Sequence, residues 1–144
     1  MKNLFLNNNV GIIGLGVLGS AIAENFINKN ISIAGYDINK KVFENLKNKN
    51  LKIYSSIKKI GIDCNFLITS LPSENSLINV SKLLIKNDKL IIIETSTLPL
   101  DCKLEAKSIL KEKKITLFDA PLSGNRIAAL DGKLSAYLSG IDKN

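Results

Sequence analysis

The chain has 144 residues, 45% hydrophobic and 23% charged, which suits one domain with a proper core and excludes two ordinary ones. Its net charge of +7 comes from 20 basic and 13 acidic residues. The lysines are mixed with acids over predicted helices and are not interleaved with aromatic residues, which favours a solvated surface over a nucleic-acid partner. No apolar run approaches the ~20 residues of a membrane helix, and residues 1–9 lack the apolar core of a signal peptide. We therefore expect a cytoplasmic protein with neither nucleic acid nor membrane as a partner.

The histidine and cysteine content further restricts the catalytic and metal chemistry that we expect. The chain contains no histidine, the commonest catalytic base and transition-metal ligand. This excludes dehydrogenases that use a histidine proton carrier, and we predict no metal site. Cys64 and Cys102 are far apart in sequence and form no C-x-x-C motif, so we predict two reduced, half-buried thiols.

Apolar strands alternate with helices along the whole chain, separated by short loops. The predicted strands are Val10–Gly14, Ile31–Asp37, Lys52–Tyr54, Phe66–Ser70, Leu90–Glu94, Ile115–Asp119 and Leu134–Ser139. The predicted helices are Leu18–Lys29, Lys40–Lys49, Glu74–Ile85 and Asp101–Lys113, with a short turn at Ser56–Ile60 and N-caps at Asn39 and Ser73. This alternation predicts a single α/β domain, with a doubly wound, mostly parallel sheet that binds ligands outside the carboxyl ends of its strands. After the last strand another crossover helix would be expected, so either the sheet stops with an open edge or the sequence is cut short.

The segment VGIIGLGVLGSAIA, residues 10–23, organises this fold. Gly14, Gly16 and Gly19 form a G-x-G-x-x-G motif between an apolar strand and a helix. The first glycine permits a tight turn, the second lets a pyrophosphate touch the backbone, and the third lets helix and strand pack closely. The helix directs its unpaired N–H groups at that pyrophosphate. The context favours a Rossmann-type dinucleotide site over a glycine-rich turn without a ligand.

An acidic residue follows at the end of the second strand. Asp37 lies a little over 20 residues beyond Gly14, where the carboxylate that binds the adenosine ribose belongs. Such a carboxylate accepts hydrogen bonds from the 2′-OH and repels a 2′-phosphate, so NAD is favoured over NADP. Lys40 and Lys41 follow closely and keep NADP open. The structural alternative is that Asp37 only initiates a turn with Asn39.

Three more segments follow apolar strands and would meet at the same edge of the sheet. They are LPSENS at 71–76, ETSTLP at 94–99 and DAPLSGN at 119–125. Each carries small hydroxyl residues and a proline, which singly mark ordinary turns. Together with the glycine loop they predict a site with hydroxyl donors and no strong base.

In order and spacing, these motifs resemble the β-hydroxyacid dehydrogenase family. Its members include 3-hydroxyisobutyrate dehydrogenase and, more distantly, 6-phosphogluconate dehydrogenase. The resemblance covers almost the whole chain but only the N-terminal part of the family, and the segment DAPLSGNRIAALDGKL is its most specific motif. It implies an incomplete NAD(P)-binding domain at 1–144, with the family's helical C-terminal domain absent and homo-oligomers possible for a full-length form.

The resemblance also implies roles for particular residues. The cofactor-binding positions are Gly14, Leu15, Gly16, Val17, Leu18, Gly19, Leu71, Pro72, Ser76 and Thr97. The substrate-binding positions are Ser123, Gly124 and Asn125, the last of which stands where the family usually has a second glycine. Leu18 and Glu94 also depart from the family, which usually has Met and Asp there. Arg126 follows directly, and two interpretations stay open for it: binding an anionic substrate, or an exposed arginine without a role.

The family's proton-transferring lysine lies beyond residue 144, so no catalytic residue is assigned in this chain. We expect the cofactor-binding domain of an enzyme that interconverts a short β-hydroxy acid and its semialdehyde or keto form by hydride transfer. The fragment alone is expected to bind nucleotide with little or no turnover. The alternatives are a non-catalytic NAD(H) sensor, which would need no lysine, and an adenosylmethionine-dependent transferase, which also uses a glycine loop.

Overall fold

The computed structural model describes residues 9–44, 46 and 50–139. Its main strands are β1 (Val10–Ile13), β2 (Ile33–Tyr36), β3 (Leu51–Ile53), β4 (Phe66–Thr69), β5 (Ile91–Glu94) and β6 (Thr116–Asp119). Its main helices are α1 (Val17–Asn28), α2 (Ile57–Asp63), α3 (Glu74–Leu83) and α4 (Leu100–Glu112), with a 3₁₀ helix at Lys40–Glu44. Two short strands and a short helix follow: β7 (Leu122–Ser123), α5 (Arg126–Leu130) and β8 (Ser135–Ala136).

The six main strands form one parallel sheet in the order β3-β2-β1-β4-β5-β6. Ile12 of β1 lies opposite Gly35 of β2 on one side and Ile68 of β4 on the other. The chain leaves β1 in one direction and later returns to place β4 against its other edge. Ligands bind at such a reversal of strand order, outside the carboxyl ends of the strands. The predicted doubly wound Rossmann-type fold is confirmed.

Helices cover both faces of the sheet because successive side chains of a strand point to opposite faces. Ile12 packs with Ile27 and Phe43 in a core shared with α1 and the 3₁₀ helix. Ile13 belongs to the second core, which includes Leu77 of α3 and Leu110 of α4. A continuous apolar run in β1 is therefore buried on both sides, as the sequence predicts.

The predicted C-terminal strand is wrong in its extent and in its partner. Leu134–Ser139 does not extend the parallel sheet, since β8 pairs antiparallel with β7 in a separate two-stranded sheet. Ser139 makes an isolated antiparallel bridge to Asp119, at the open side of β6. The sequence analysis also missed β7 and α5, because elements of two and five residues leave no measurable period.

Three other predictions change in detail. The helix predicted at Lys40–Lys49 is a 3₁₀ helix over Lys40–Glu44, and residues 45 and 47–49 lie outside the described part. The short turn predicted at Ser56–Ile60 is the helix Ile57–Asp63. Cys64 and Cys102 are free thiols that are fully buried rather than half-buried. In the part of the chain that the structure describes, no helix combines the length and apolarity needed to cross a membrane.

Candidate functional site

The glycine loop between β1 and α1 has a separate geometric reason for each of its three glycines. Gly14 has a φ of +91°, and a Cβ there would lie 2.1 Å from the carbonyl oxygen of Ser70. A Cβ on Gly19 would lie 2.0 Å from the carbonyl oxygen of Gly14. At Gly16, by contrast, no atom of the described residues lies within 4 Å of the Cβ position. Two glycines are thus required by the protein itself, and the third leaves open space beside the backbone.

The amino end of α1 faces this open space. Gly16 is its N-cap, so no side chain accepts a hydrogen bond from the first amides, and the first turn contains no acidic residue. The first N–H groups of a helix have no partners within the helix, and they carry the positive end of its dipole. This helix end is therefore suited to an anionic group.

A cleft of about 390 Å³ opens beside the glycine loop at the carboxyl ends of β1, β2 and β4. It is lined by Ile13, Gly14, Gly16, Val17, Tyr36, Asp37, Ile38, Ile57, Ser70, Leu71, Pro72, Ser76, Asn79 and Val80. Seven of the positions assigned to the cofactor are among them: Gly14, Gly16, Val17, Asp37, Leu71, Pro72 and Ser76. The sequence analysis missed the apolar wall formed by Ile38, Ile57 and Val80, which spacing alone does not bring together.

The remaining cofactor positions, Leu15, Leu18, Gly19 and Thr97, do not line the cleft among the residues described. Leu15 is buried in the core, and Gly19 supports the loop from behind. Leu18 is half-buried on α1, and Thr97 is exposed beyond the end of β5. These four remain predictions that follow from the family resemblance.

The Asp37 carboxylate is held at the junction of the loop and the second strand. Its Oδ2 accepts a hydrogen bond of 2.6 Å from the Leu15 N–H, and its Oδ1 accepts one of 2.7 Å from the Asn39 N–H. The Lys40 ammonium donates to the Asp37 carbonyl at 2.9 Å and lies 4.9 Å from the centre of the Tyr36 ring. Asp37 therefore makes the turn with Asn39 and also faces the cleft, so the two interpretations of this residue are compatible.

The opposite wall of the cleft rests on hydroxyl groups. The Leu71 N–H donates to Ser96 Oγ at 2.8 Å, which ties the wall to the segment after β5. Ser73 caps α3, as predicted, and accepts a hydrogen bond of 3.3 Å from the Ser76 N–H. The hydroxyls of Ser73 and Ser76 are 2.8 Å apart. This wall offers hydroxyl and amide groups and no strong base.

Lys103 corrects the prediction that the lysines of the fourth helix lie on a solvated surface. Its side chain is 8% exposed, and its ammonium contacts Glu94 at 3.0 Å and Asp119 at 2.5 Å. It also donates to the carbonyl of Ser96 at 2.7 Å. Burial lowers the pKa of Lys103, but hydrogen bonds to Asp119 and Glu94 outweigh burial and raise that pKa above its ordinary value. Lys103 therefore stays protonated and charged near neutral pH.

A helix-face pattern could have identified this lysine. Ala106 and Leu110, three and seven residues beyond it, are both buried. Positions at this spacing share one face of a helix, so Lys103 lies on the inward stripe of α4. A buried lysine needs a partner, and Glu94 and Asp119 each end a strand of the same predicted sheet.

The predicted substrate segment lies apart from the cleft. Ser123, Gly124 and Asn125 are exposed and line no part of it. Gly124 has a φ of +134°, and Asn125 caps α5 by accepting a hydrogen bond of 3.0 Å from the Ala128 N–H. Their substrate role remains a prediction.

This segment is docked on α1, the helix that follows the glycine loop. The Arg126 guanidinium pairs with Glu24 at 3.0 Å, which gives that arginine a partner within the protein. The Asn25 side chain donates to the Leu130 carbonyl at 2.6 Å. No three His, Cys, Asp or Glu side chains converge into a metal-binding group in the described part of the chain.

The chain matches the family model described as the NAD binding domain of 6-phosphogluconate dehydrogenase, over residues 9–144. The chain belongs to this family. It is 28% identical over 140 residues to a probable mitochondrial 3-hydroxyisobutyrate dehydrogenase of Dictyostelium discoideum, covering 94% of this chain and 44% of that protein. It is 22% identical over 141 residues to L-threonate dehydrogenase of Cupriavidus necator, covering 94% of this chain and 47% of that protein. The chain thus spans less than half the length of these curated relatives, and the predicted resemblance to the N-terminal part of the family is confirmed.

Solved structures agree on the fold of this NAD-binding family member. The Mycobacterium tuberculosis 3-hydroxyisobutyrate dehydrogenase with L-serine gives a TM-score of 0.84 at 17% identity, over 94% of this chain and 47% of that one. A reductive aminase from Aspergillus terreus in complex with NADPH and ethyl levulinate gives 0.77 at 12% identity, over 84% and 43%. At these identities the likeness establishes the Rossmann-type fold alone.

Proposed function

We propose that the chain binds NAD(H) in the cleft beside the glycine loop, as the cofactor-binding part of an oxidoreductase acting on a short β-hydroxy acid. The observation that carries the proposal is the open space at Gly16, directly before the uncapped amino end of α1. Gly14 and Gly19 are required by packing, but no contact among the described residues requires a glycine at 16. A ligand that must approach the backbone supplies that reason.

Each part of a dinucleotide has a candidate contact among the described residues. The diphosphate would lie on the amides that follow Gly16, and the adenosine ribose would lie beside Asp37. Ile38 and Ile57 line the same end of the cleft and offer an apolar surface for a base. The nicotinamide half would then extend across β4 toward Leu71 and Pro72, because a dinucleotide spans the point where strand order reverses.

The cofactor, when bound, would accept a hydride from the carbinol carbon of the hydroxy acid or donate one to the carbonyl carbon of its oxidised form. The chain's own residues bind and orient it. Leu71 and Pro72 form an apolar wall, and the hydroxyl of Ser76 lies at its edge. Thr97, Ser123, Gly124 and Asn125 are proposed, from the family resemblance, to contact the nicotinamide ribose and the substrate carboxylate and hydroxyl.

NAD is proposed over NADP because the Asp37 carboxylate would repel a 2′-phosphate. The Aspergillus reductive aminase is in complex with NADPH, so this fold does not exclude NADP, and the proposal depends on the charge at position 37. The test is titration of NADH and NADPH, followed by nicotinamide fluorescence, with Asp37→Asn. The asparagine keeps an acceptor for the Leu15 N–H but removes the charge, so the preference for NADH should fall about 10-fold. Asp88→Asn, an exposed carboxylate elsewhere, is the control. An unchanged preference in Asp37→Asn removes this role from Asp37.

We further propose that the 144-residue chain binds nucleotide without appreciable turnover. No lysine lines the cleft among the described residues, and Lys103 is committed to two carboxylates. General acid–base catalysis requires a proton carrier within hydrogen-bond reach of the substrate. Steady-state loss of NADH absorbance with a short semialdehyde acid should therefore match the rate without protein. Substantial turnover by this chain would contradict the proposal.

A further inference from the structure

One buried ammonium lies between two strand ends that both approach the proposed site. Lys103 reaches from α4 to Glu94 at the end of β5 and to Asp119 at the end of β6. The Glu94 side chain is fully buried, and that of Asp119 is 30% exposed. Two carboxylates so close to each other repel unless a cation lies between them. Lys103 is therefore required for the ends of β5 and β6 to adopt these positions together.

The same ammonium fixes Ser96, which touches the wall of the cleft. Lys103 donates to the Ser96 carbonyl at 2.7 Å, and the Ser96 N–H donates to Glu94 Oε1 at 2.9 Å. The Ser96 hydroxyl oxygen accepts a third hydrogen bond, from the Leu71 N–H, at 2.8 Å. Leu71 is thus connected to Lys103 through Ser96, whose N–H, carbonyl oxygen and hydroxyl oxygen each make one of these hydrogen bonds.

On its other side the network reaches the segment that carries Ser123. The Ala120 N–H donates to the Glu94 carbonyl at 2.8 Å, directly after Asp119. Asp119 also exchanges two backbone hydrogen bonds with Ser139, at 3.1 and 2.7 Å. The chain that leaves β6 toward Ser123 is therefore held at its first residues by the contacts of Lys103 and Glu94.

We infer that Lys103 is a positioning residue that sets the nicotinamide side of the cleft, Leu71 and Pro72, relative to the segment that begins at Asp119. This inference rests on the proposed dinucleotide site. Lys103 touches neither the cleft nor the proposed substrate positions. It acts through Ser96 on one side and through Asp119 on the other.

The test compares two probes that share the adenosine, the diphosphate and one ribose. NADH carries the nicotinamide and ADP-ribose does not, so a displaced Leu71 wall should weaken NADH alone. Lys103→Met keeps the length of the side chain and removes the ammonium. By calorimetry on the 144-residue chain below its melting temperature, we expect about 5- to 10-fold weaker NADH binding, with ADP-ribose changed less than about 2-fold.

Lys113→Met is the matched control for this substitution. The Lys113 ammonium also bonds within the protein, to the carbonyls of Ser81, Lys82 and Leu84 at the end of α3, and none of these three residues lines the cleft. Its loss should lower stability and leave the ratio of NADH to ADP-ribose affinities as in the wild type. A lysine that only stabilises the fold would behave the same way at position 103.

If Lys103→Met fails to fold, a milder variant tests the same inference. Ser96→Ala removes only the acceptor of the Leu71 N–H, and about 3-fold selective loss of NADH affinity is expected. Ser81→Ala is its control, because Ser81 is also buried and also makes one hydrogen bond, to the Leu77 carbonyl.

The outcomes separate this inference from the proposed function. If the wild-type chain binds neither NADH nor ADP-ribose, the proposed site is wrong and the inference is wrong with it. If the wild type binds both and Ser96→Ala and any folded Lys103→Met keep its affinity ratio, the inference is overturned while the proposed site stands. Selective loss of NADH in the network variants, and not in the controls, supports it.

Discussion

The two ends of the carboxyl edge of the sheet are built in opposite ways. Around β1, α1 and β2 the glycine loop presents bare backbone to the cleft, with glycines that lack side chains and a helix end without a capping side chain. Around β5, β6 and α4 the same edge is closed by charged side chains that neutralise one another. Exposed amides remain available to a ligand, whereas the ammonium of Lys103 is fully used within the protein. The role of a charged residue near a site therefore depends on which partners its charge has within the protein.

The largest expected effect lies on the charged side. Lys103→Met leaves the Glu94 and Asp119 carboxylates without their cation, and breaking a buried ion pair from one side costs about 3–5 kcal/mol. Denaturant unfolding followed by circular dichroism measures the loss. Lys111→Met, an exposed lysine on the same helix, should change stability by less than about 0.5 kcal/mol. Equal losses in the two variants would mean that the buried network contributes nothing.

The next largest effect comes from a comparison of Gly14 with Gly16 in the glycine loop. Gly14→Ala places a methyl group against the Ser70 carbonyl at a positive φ, and should cost about 3 kcal/mol of stability. The methyl group of Gly16→Ala meets no atom in the part of the chain that the structure describes, so the stability of this variant should stay within about 1 kcal/mol of the wild type. NADH affinity should nevertheless fall more than about 10-fold in Gly16→Ala, since the methyl occupies the proposed diphosphate position. A Gly16→Ala chain that binds NADH normally would place the diphosphate elsewhere.

A smaller effect depends on pH and concerns the buried thiol of Cys64, in the core that also contains Ile13 and Leu67. Burial raises the pKa of the Cys64 thiol from 9.0 to about 11, so the folded chain keeps a proton that the unfolded chain releases. Stability is therefore full below 9.0 and should decline as the pH rises toward about 11. Cys64→Ala should decline less over this interval in denaturant unfolding. The same slope in both chains would show that Cys64 does not contribute.

The smallest effect concerns the hydroxyl wall opposite the glycine loop. Ser73→Ala removes the N-cap of α3 and should cost about 1 kcal/mol. The Ser76 hydroxyl also loses its neighbour at 2.8 Å, so NADH affinity should change by only a few fold. Thermal melting and NADH titration measure the two effects. A loss as large as that of Gly14→Ala would show that this wall, and not the loop, holds the site together.

Much of the fold follows from local patterns. Strands β1 to β6 form within one or two residues of the predicted bounds, because buried apolar runs between turns have few alternatives. The Ser73 cap, the positive φ of Gly14 and the close approach of Gly19 to the Gly14 carbonyl follow from the chemistry of single residues and their near neighbours. Patterns of this kind need no knowledge of the distant chain.

Most of the features that the sequence did not reveal share one cause, which is contact between residues distant in the chain. The pairing of β8 with β7 depends on contacts between residues more than ten positions apart, and α5 is too short to show a period. The sequence places Ser123 and Asn125 near the end of a strand, but it does not show that they lie outside the cleft. The double role of Asp37 likewise needs the position of the Leu15 amide.

By itself, then, the sequence determined the alternation of elements, the parallel sheet and the glycine turn that leaves the backbone bare at Gly16. These features depend on the size and apolarity of side chains over short stretches, which are properties of the local sequence. The helix-face pattern of α4 indicates that Lys103 faces inward, but only the tertiary structure decided that its ammonium lies between Glu94 and Asp119. Whether that charge meets water or two carboxylates depends on how α4 packs against strands that end far from it in sequence.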